Sequence, residues 1–207
     1  MTTRAQTERV MLPTMPVAPT REQAWATLTE YTKSEALLRH ALAVEAAVKA
    51  YAHKLGEDEE LWGVAALLHD FDYEIHPTLE EHPQAGAPIL REEGYPEVVV
   101  QAILSHAEHT GVPRETLLQK TIFACDELAG FVHACGLVRP DGIATLEPKS
   151  VRKKLKQPSF AAGVNRDEVY QGADELRVDL DEHITFVIAA LRPIAAELGL
   201  RTSADAS

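Results

Sequence analysis

Four apolar helical stripes in this chain are each interrupted by an ionisable residue. Leu61, Val64, Ala65 and Leu68 recur at helical spacing and run directly into His69-Asp70-Phe71-Asp72-Tyr73. Apolar residues at such intervals mark the buried face of a helix. Leu37, Ala41, Val44 and Val48 share a second face, which also carries His40. Val99, Ala102 and Ile103 share a third with His106, and Leu118, Ile122 and Ala129 a fourth with Asp126. One such interruption is what a hydrogen-bonded core histidine produces. Several, beside a His-Asp pair, point to a shared buried cation. A carboxylate at the edge of a core is costly without a partner, and imidazole nitrogen and carboxylate oxygen are both metal ligands. With no convincing strand alternation and no internal repeat, the pattern predicts an all-α fold.

The order His40, His69-Asp70, His82, His106, Asp126 resembles the HD superfamily of metal-dependent enzymes, over about residues 34–135. Glu81-His82-Pro83-Gln84-Ala85-Gly86 is similar to the family's His-Pro-x-x-Gly segment, and Ala102-Ile103-Leu104-Ser105-His106 to its Ile-x-x-His segment. The resemblance implies an HD-type helical bundle with a C-terminal helical extension. It implies that His40, His69, Asp70 and Asp126 hold one divalent cation and that His82 and His106 hold a second, with Asp70 bridging. One or two ions fit this pattern. Ligand types do not separate Fe, Mn, Mg, Zn, Co and Ni. Two cations about 3.5–4 Å apart can share an activated water, so a metal-bound hydroxide serves as nucleophile and no Ser or Cys nucleophile is needed.

Two departures from the family matter. The subgroup with Ile-Gly after the pair often has a lysine next, whereas Phe71-Asp72-Tyr73 stands here, and Ala107 follows His106 where many relatives have a second histidine. Gly94-Tyr95-Pro96 spells a tripeptide of the cyclic-dinucleotide phosphodiesterase branch, but it precedes His106 instead of following it. It reads as a turn between helices.

The 207 residues fit one domain with extensions. Twenty Lys and Arg against 32 Asp and Glu leave a net charge of −12, which opposes non-specific binding to nucleic acid or anionic membrane. Cys125 and Cys135 fit neither a zinc motif nor a disulfide framework, so a reducing cytoplasm is expected. No run approaches a membrane span, and no secretory signal is evident at the N-terminus.

Residues 1–19, with Pro13, Pro16 and Pro19, are expected to be an irregular leader, and 201–207 a frayed tail. A single HD-type domain is expected over 20–200, with its metal-binding core at 34–135. Thr20 and Gln23 suggest a capping box, Ser34 a cap for a helix to about Leu55, and Asp58 the start of the next helix. Residues 71–82 read as an acidic, aromatic loop. Helices are expected at about 83–93, 96–108, 114–135 and 174–198.

Residues 149–166 form a basic segment without an acid, carrying Lys149, Arg152, Lys153, Lys154, Lys156 and Arg166. It is either a solvated face or an electropositive flap binding a small anionic substrate over the metal site. Asp70, His76 and His109 are candidate catalytic residues; for the two histidines, proton donation competes with an ordinary surface role. Glu127 is placed either to orient a ligand or as a plain helix residue. Together these features favour a metal-dependent phosphohydrolase acting on a small phosphorylated metabolite or nucleotide. A di-iron oxygenase related to myo-inositol oxygenase shares the ligand order. An inactive binding module is the third reading, against which the complete ligand set speaks.

Overall fold

The computed structural model describes residues 19–200. The leader, apart from Pro19, and the tail over 201–207 lie outside the described residues. Within them the chain is all-α: nine α-helices, two short 3-10 turns and no strand. The α-helices are α1 Arg21–Tyr31, α2 Glu35–Leu55, α3 Glu59–Leu67, α4 Gly86–Glu92, α5 Glu97–Ser105, α6 Leu117–Leu137, α7 Pro148–Leu155, α8 Arg166–Leu176 and α9 Leu180–Leu191.

Local signals set several of these ends. Thr20 and Gln23 form a reciprocal capping box at α1, as Thr116 and Gln119 do at α6. That second box starts α6 at Leu117 instead of near 114. Asp58 caps α3 by accepting from the N–H groups of Glu60 and Leu61. Ser34 makes no side-chain cap bond, contrary to expectation. Glu74 satisfies the entrance to α2 instead, its Oε2 accepting from Lys33 N at 2.8 Å and Ser34 N at 2.9 Å. The loop after the His-Asp pair is thereby tied to the start of α2.

The expected helix over 174–198 is two helices. Arg177 ends α8 in the left-handed region at φ 56°, and Asp179 then caps α9 by accepting from Asp181 N and Glu182 N. An aspartate cap supplies the orphan amides of a new helix start and so favours the break over continuation. Gly94-Tyr95-Pro96 is a turn between α4 and α5, with buried Tyr95 hydrogen-bonded to Thr27 at 2.9 Å.

The long helices α2 and α6 pack against each other; α3 covers α2, and α8 and α9 cover α6. Ala41, Val44, Val48, Leu68, Val99, Ile103, Leu118, Ile122 and Ala129, all from the four stripes, join one buried core. The faces interrupted by ionisable residues therefore converge on the same interior.

Candidate metal centre

Each polar residue of the stripes sits where its helix reaches a common point. His40 lies in the second turn of α2 and Asp126 mid-way along α6. His69 and Asp70 follow the end of α3, and His106 forms the C-cap of α5. His82 lies in the turns before α4, with Gly86 at the helix start.

Four imidazole Nε2 atoms and two carboxylates meet there. Asp126 Oδ1 is 3.0 Å from His40 Nε2 and 3.3 Å from His69 Nε2. Asp70 divides its oxygens between two groups. Oδ2 faces His40 Nε2 at 3.6 Å and His69 Nε2 at 3.5 Å, while Oδ1 faces His82 Nε2 at 3.1 Å and His106 Nε2 at 3.4 Å. His40-His69-Asp70 and Asp70-His82-His106 are thus two ligand-grade groups with one carboxylate in common.

The far side of three rings is fixed. His69 Nδ1 donates to the carbonyl of Ala66 at 2.7 Å, and His106 Nδ1 to that of Ile103 at 2.5 Å. His82 Nδ1 donates to Asp72 Oδ1 at 2.8 Å. An imidazole that donates from Nδ1 presents a lone pair at Nε2, the arrangement found in metal-binding histidines. His40 Nε2 and His69 Nε2 lie only 3.2 Å apart, with carboxylate oxygens around them. Acceptors this close repel unless a proton or a cation lies between them. Donor atoms about 2.1 Å from one ion, in tetrahedral directions, sit about 3.4 Å from each other, so the spacings here fit a divalent cation.

The electrostatics agree. Burial pushes the His69 imidazole down, but Asp70 and Asp126 outweigh it and hold it at about 10. Burial likewise opposes His82, and Asp70 and Asp72 bring it to about 9. Asp70 and Asp126 move the other way: burial raises each carboxyl, and the surrounding histidines, His69 foremost in charge, pull it well below the ordinary range. Glu127 is pushed up to about 8, by burial first and then by Asp126. Glu168 on α8 is raised by the same two causes.

Asp72 is the supporting residue that the sequence did not single out for a role. It is fully buried, holds His82, and accepts from Gly86 N through Oδ2 at 3.0 Å. A Cβ at Gly86 would stand 2.7 Å from Asp72 Cγ, so the glycine lets the carboxylate approach the backbone. Asp72 was visible only as one acid in an acidic loop; its pairing partner His82 lies ten residues away and shares no helix with it.

The other candidates lie apart from this cluster. His109 Nε2 donates to the carbonyl of His82 at 2.8 Å, bracing that segment from outside. His76 Nδ1 is 4.0 Å from Glu81 Oε1 within the loop. The basic segment also has other partners. Lys149 pairs with Glu147 at 3.1 Å and Arg152 with Asp181 at 3.3 Å. Arg166 donates to the carbonyls of Phe160, Ala161 and Val164, tightening the turn before α8. Lys156 is exposed just past α7, and Lys153 and Lys154 line a separate cavity beside Cys135. α7, which carries Lys149, Arg152, Lys153 and Lys154, packs on α6 and α9, and among the described residues none of the six cations pairs with a residue of the metal cluster. His133 bonds the carbonyl of Leu198, and buried His183 bonds Tyr51 and the carbonyl of Ala124.

Comparison with known proteins agrees with this geometry. Curated relatives named Ribonuclease Y match the chain. That of Oleidesulfovibrio alaskensis is 26% identical over 164 residues, 75% of this chain and 30% of the relative. That of Lactobacillus gasseri is 28% identical over 147 residues, 69% of this chain and 25% of the relative. That of Lawsonia intracellularis is 30% identical over 157 residues, 74% and 28% respectively. The match takes in less than a third of each relative's length. No solved structure matches the chain significantly. The family described as HD domain matches residues 37–130, a span that contains all six converging residues. The chain thus carries an HD domain, and the cluster lies wholly within it.

Proposed function

We propose that the protein is a metal-dependent phosphohydrolase acting on a small phosphorylated metabolite or nucleotide. The observation that carries this reading is the division of Asp70 between two histidine groups, one oxygen to each. HD domains are usually metal-dependent hydrolases, and the name Ribonuclease Y places those relatives' chemistry at phosphodiester bonds. Both support phosphoryl transfer to water over oxygen activation.

His40, His69, Asp126 and Asp70 Oδ2 would hold one divalent cation, and His82, His106 and Asp70 Oδ1 a second. Cations bound there supply a Lewis acid for a phosphoryl oxygen and acidify water. The chain's own part is to aim the donors. Ala66 O, Ile103 O and Asp72 Oδ1 hold the Nδ1 protons, so the three Nε2 lone pairs face inward. The net charge of −12 supports a small anion over a polyanion as substrate. Buried, unpaired Cys125 and Cys135 are in keeping with a reducing cytoplasm, and no described helix is long and apolar enough to cross a membrane.

The test is a panel of phosphorylated metabolites and nucleotides assayed for phosphate release with Mg, Mn, Fe and Co each supplied. Metal-dependent release that Asp70→Ala abolishes is expected. Oxygen consumption by an iron-loaded protein without phosphate release would overturn the reading in favour of an oxygenase.

A further inference from the structure

The acid-free segment after α6 leaves cations that the metal centre does not use. Val151 and Leu155 bury one side of α7 in the core. Lys153 and Lys154 line a cavity of about 270 Å³ against the end of α6, where Arg139 completes a basic rim. Its apolar wall is Cys135, Val138 and Leu146, and Ser150 and Gln157 add hydrogen-bonding groups. No acid lines it.

These cations are incompletely matched. Lys153 has no ion-pair partner among the described residues. Lys154 rests on the Phe160 ring, its Nζ 4.3 Å from the centroid. Arg139 is held through Nη2 by Asp141 and Thr145, yet its Nε is buried without a hydrogen-bond partner. In a chain of net charge −12, three cations lining one acid-free concavity is an arrangement that an anion would complete.

We propose that this cavity between α6 and α7 binds a small phosphorylated ligand with an apolar body, separately from the metal centre. Phosphate oxygens suit clustered Lys and Arg, and the Cys135-Val138-Leu146 wall suits the organic part. The volume falls just below the usual range of about 300–1,000 Å³ for drug-sized ligands, so the occupant is small. Cys135 lies nine residues beyond Asp126 on α6, or about 13 Å at the helical rise. A ligand of this size seated here does not reach the metal centre. Burial pushes the Cys135 thiol up to about 12, with Lys154 and Arg139 pulling the other way, so the pocket is built to bind and not to attack.

Phenylphosphonate is a suitable probe because its carbon–phosphorus bond is not a substrate for hydrolysis. Calorimetry on the full chain is expected to show a site, retained in His82→Gln, that is tighter for phenylphosphonate than for inorganic phosphate. Lys153→Gln with Lys154→Gln should weaken it at least tenfold. Lys149→Gln with Arg152→Gln, which removes as much charge from the same helix, should change it less than twofold. Equal losses in the two double variants would reduce the effect to net charge and overturn the proposal. So would absence of binding, or a loss in His82→Gln with none in the Lys153-Lys154 pair, which would put the probe at the metal centre. Binding at α7 and hydrolysis of the substrate panel are separate readouts, so either can fail alone.

Discussion

Asp72 shows how much one buried carboxylate does for a ligand beside it. It holds His82 in one tautomer and ties it to the start of α4 through Gly86 N. Asp72→Ala should weaken metal binding by about 10–100-fold, the usual cost of losing such a partner. Competition with a chelating dye measures this, and an unchanged affinity would make Asp72 a purely structural residue. Protons give a second check. In the metal-free chain, His69 at about 10 and His82 at about 9 both stand above the ordinary 6.5. Each favours the folded state fully below that ordinary value, and the contribution is lost as pH climbs through the folded values. A cation must displace these protons, so metal affinity should rise with pH, with roughly two protons released per chain near pH 7.5. Calorimetry in buffers of different ionisation heat counts them; zero release would contradict the assignment. At this scale five of the six converging residues were legible because each interrupts an apolar stripe or adjoins one, and His82 only through the resemblance of His82-Pro83-Gln84-Ala85-Gly86 to a family segment. Asp72 and the roles of His76 and His109 were not, since they depend on loop geometry that periodicity does not describe.

Helix packing sets the spacing of the donors. α6 carries Asp126, and α8 lies close against it where Gly172 meets Ala124. A Cβ on Gly172 would stand 2.5 Å from Ala124 Cα, which is backbone and cannot step aside. Gly172→Ala should therefore cost about 1–3 kcal/mol, as overpacking typically does, lowering Tm by about 2–4 °C per kcal/mol. Thermal denaturation checks it; an unchanged Tm would mean that the two helices separate freely. The helices through α6 followed from stripes and caps, whereas α7 and α8 were not placed by them. The break at Arg177–Asp179 did not follow from them either, because the apolar repeat continues from α8 into α9. Only the Asp179 cap marked it. For the basic segment, the sequence left a solvated face and a flap both open. Composition revealed its charge, but the partners of those cations depend on how α7 packs on α6 and α9.

For the whole molecule, the account rests on interior convergence: helices far apart in sequence bring their polar residues to a point that a cation would neutralise. In the metal-free chain, protons on His69 and His82 balance the two inward carboxylates, and bound cations would take the place of those protons. The most direct measurement is metal content per chain, by mass spectrometry after loading with manganese and desalting. The account expects two retained ions in the wild type and essentially none in Asp70→Ala, whose carboxylate both positions share. A wild type that retains no metal, or an Asp70→Ala chain that retains as much, would contradict it.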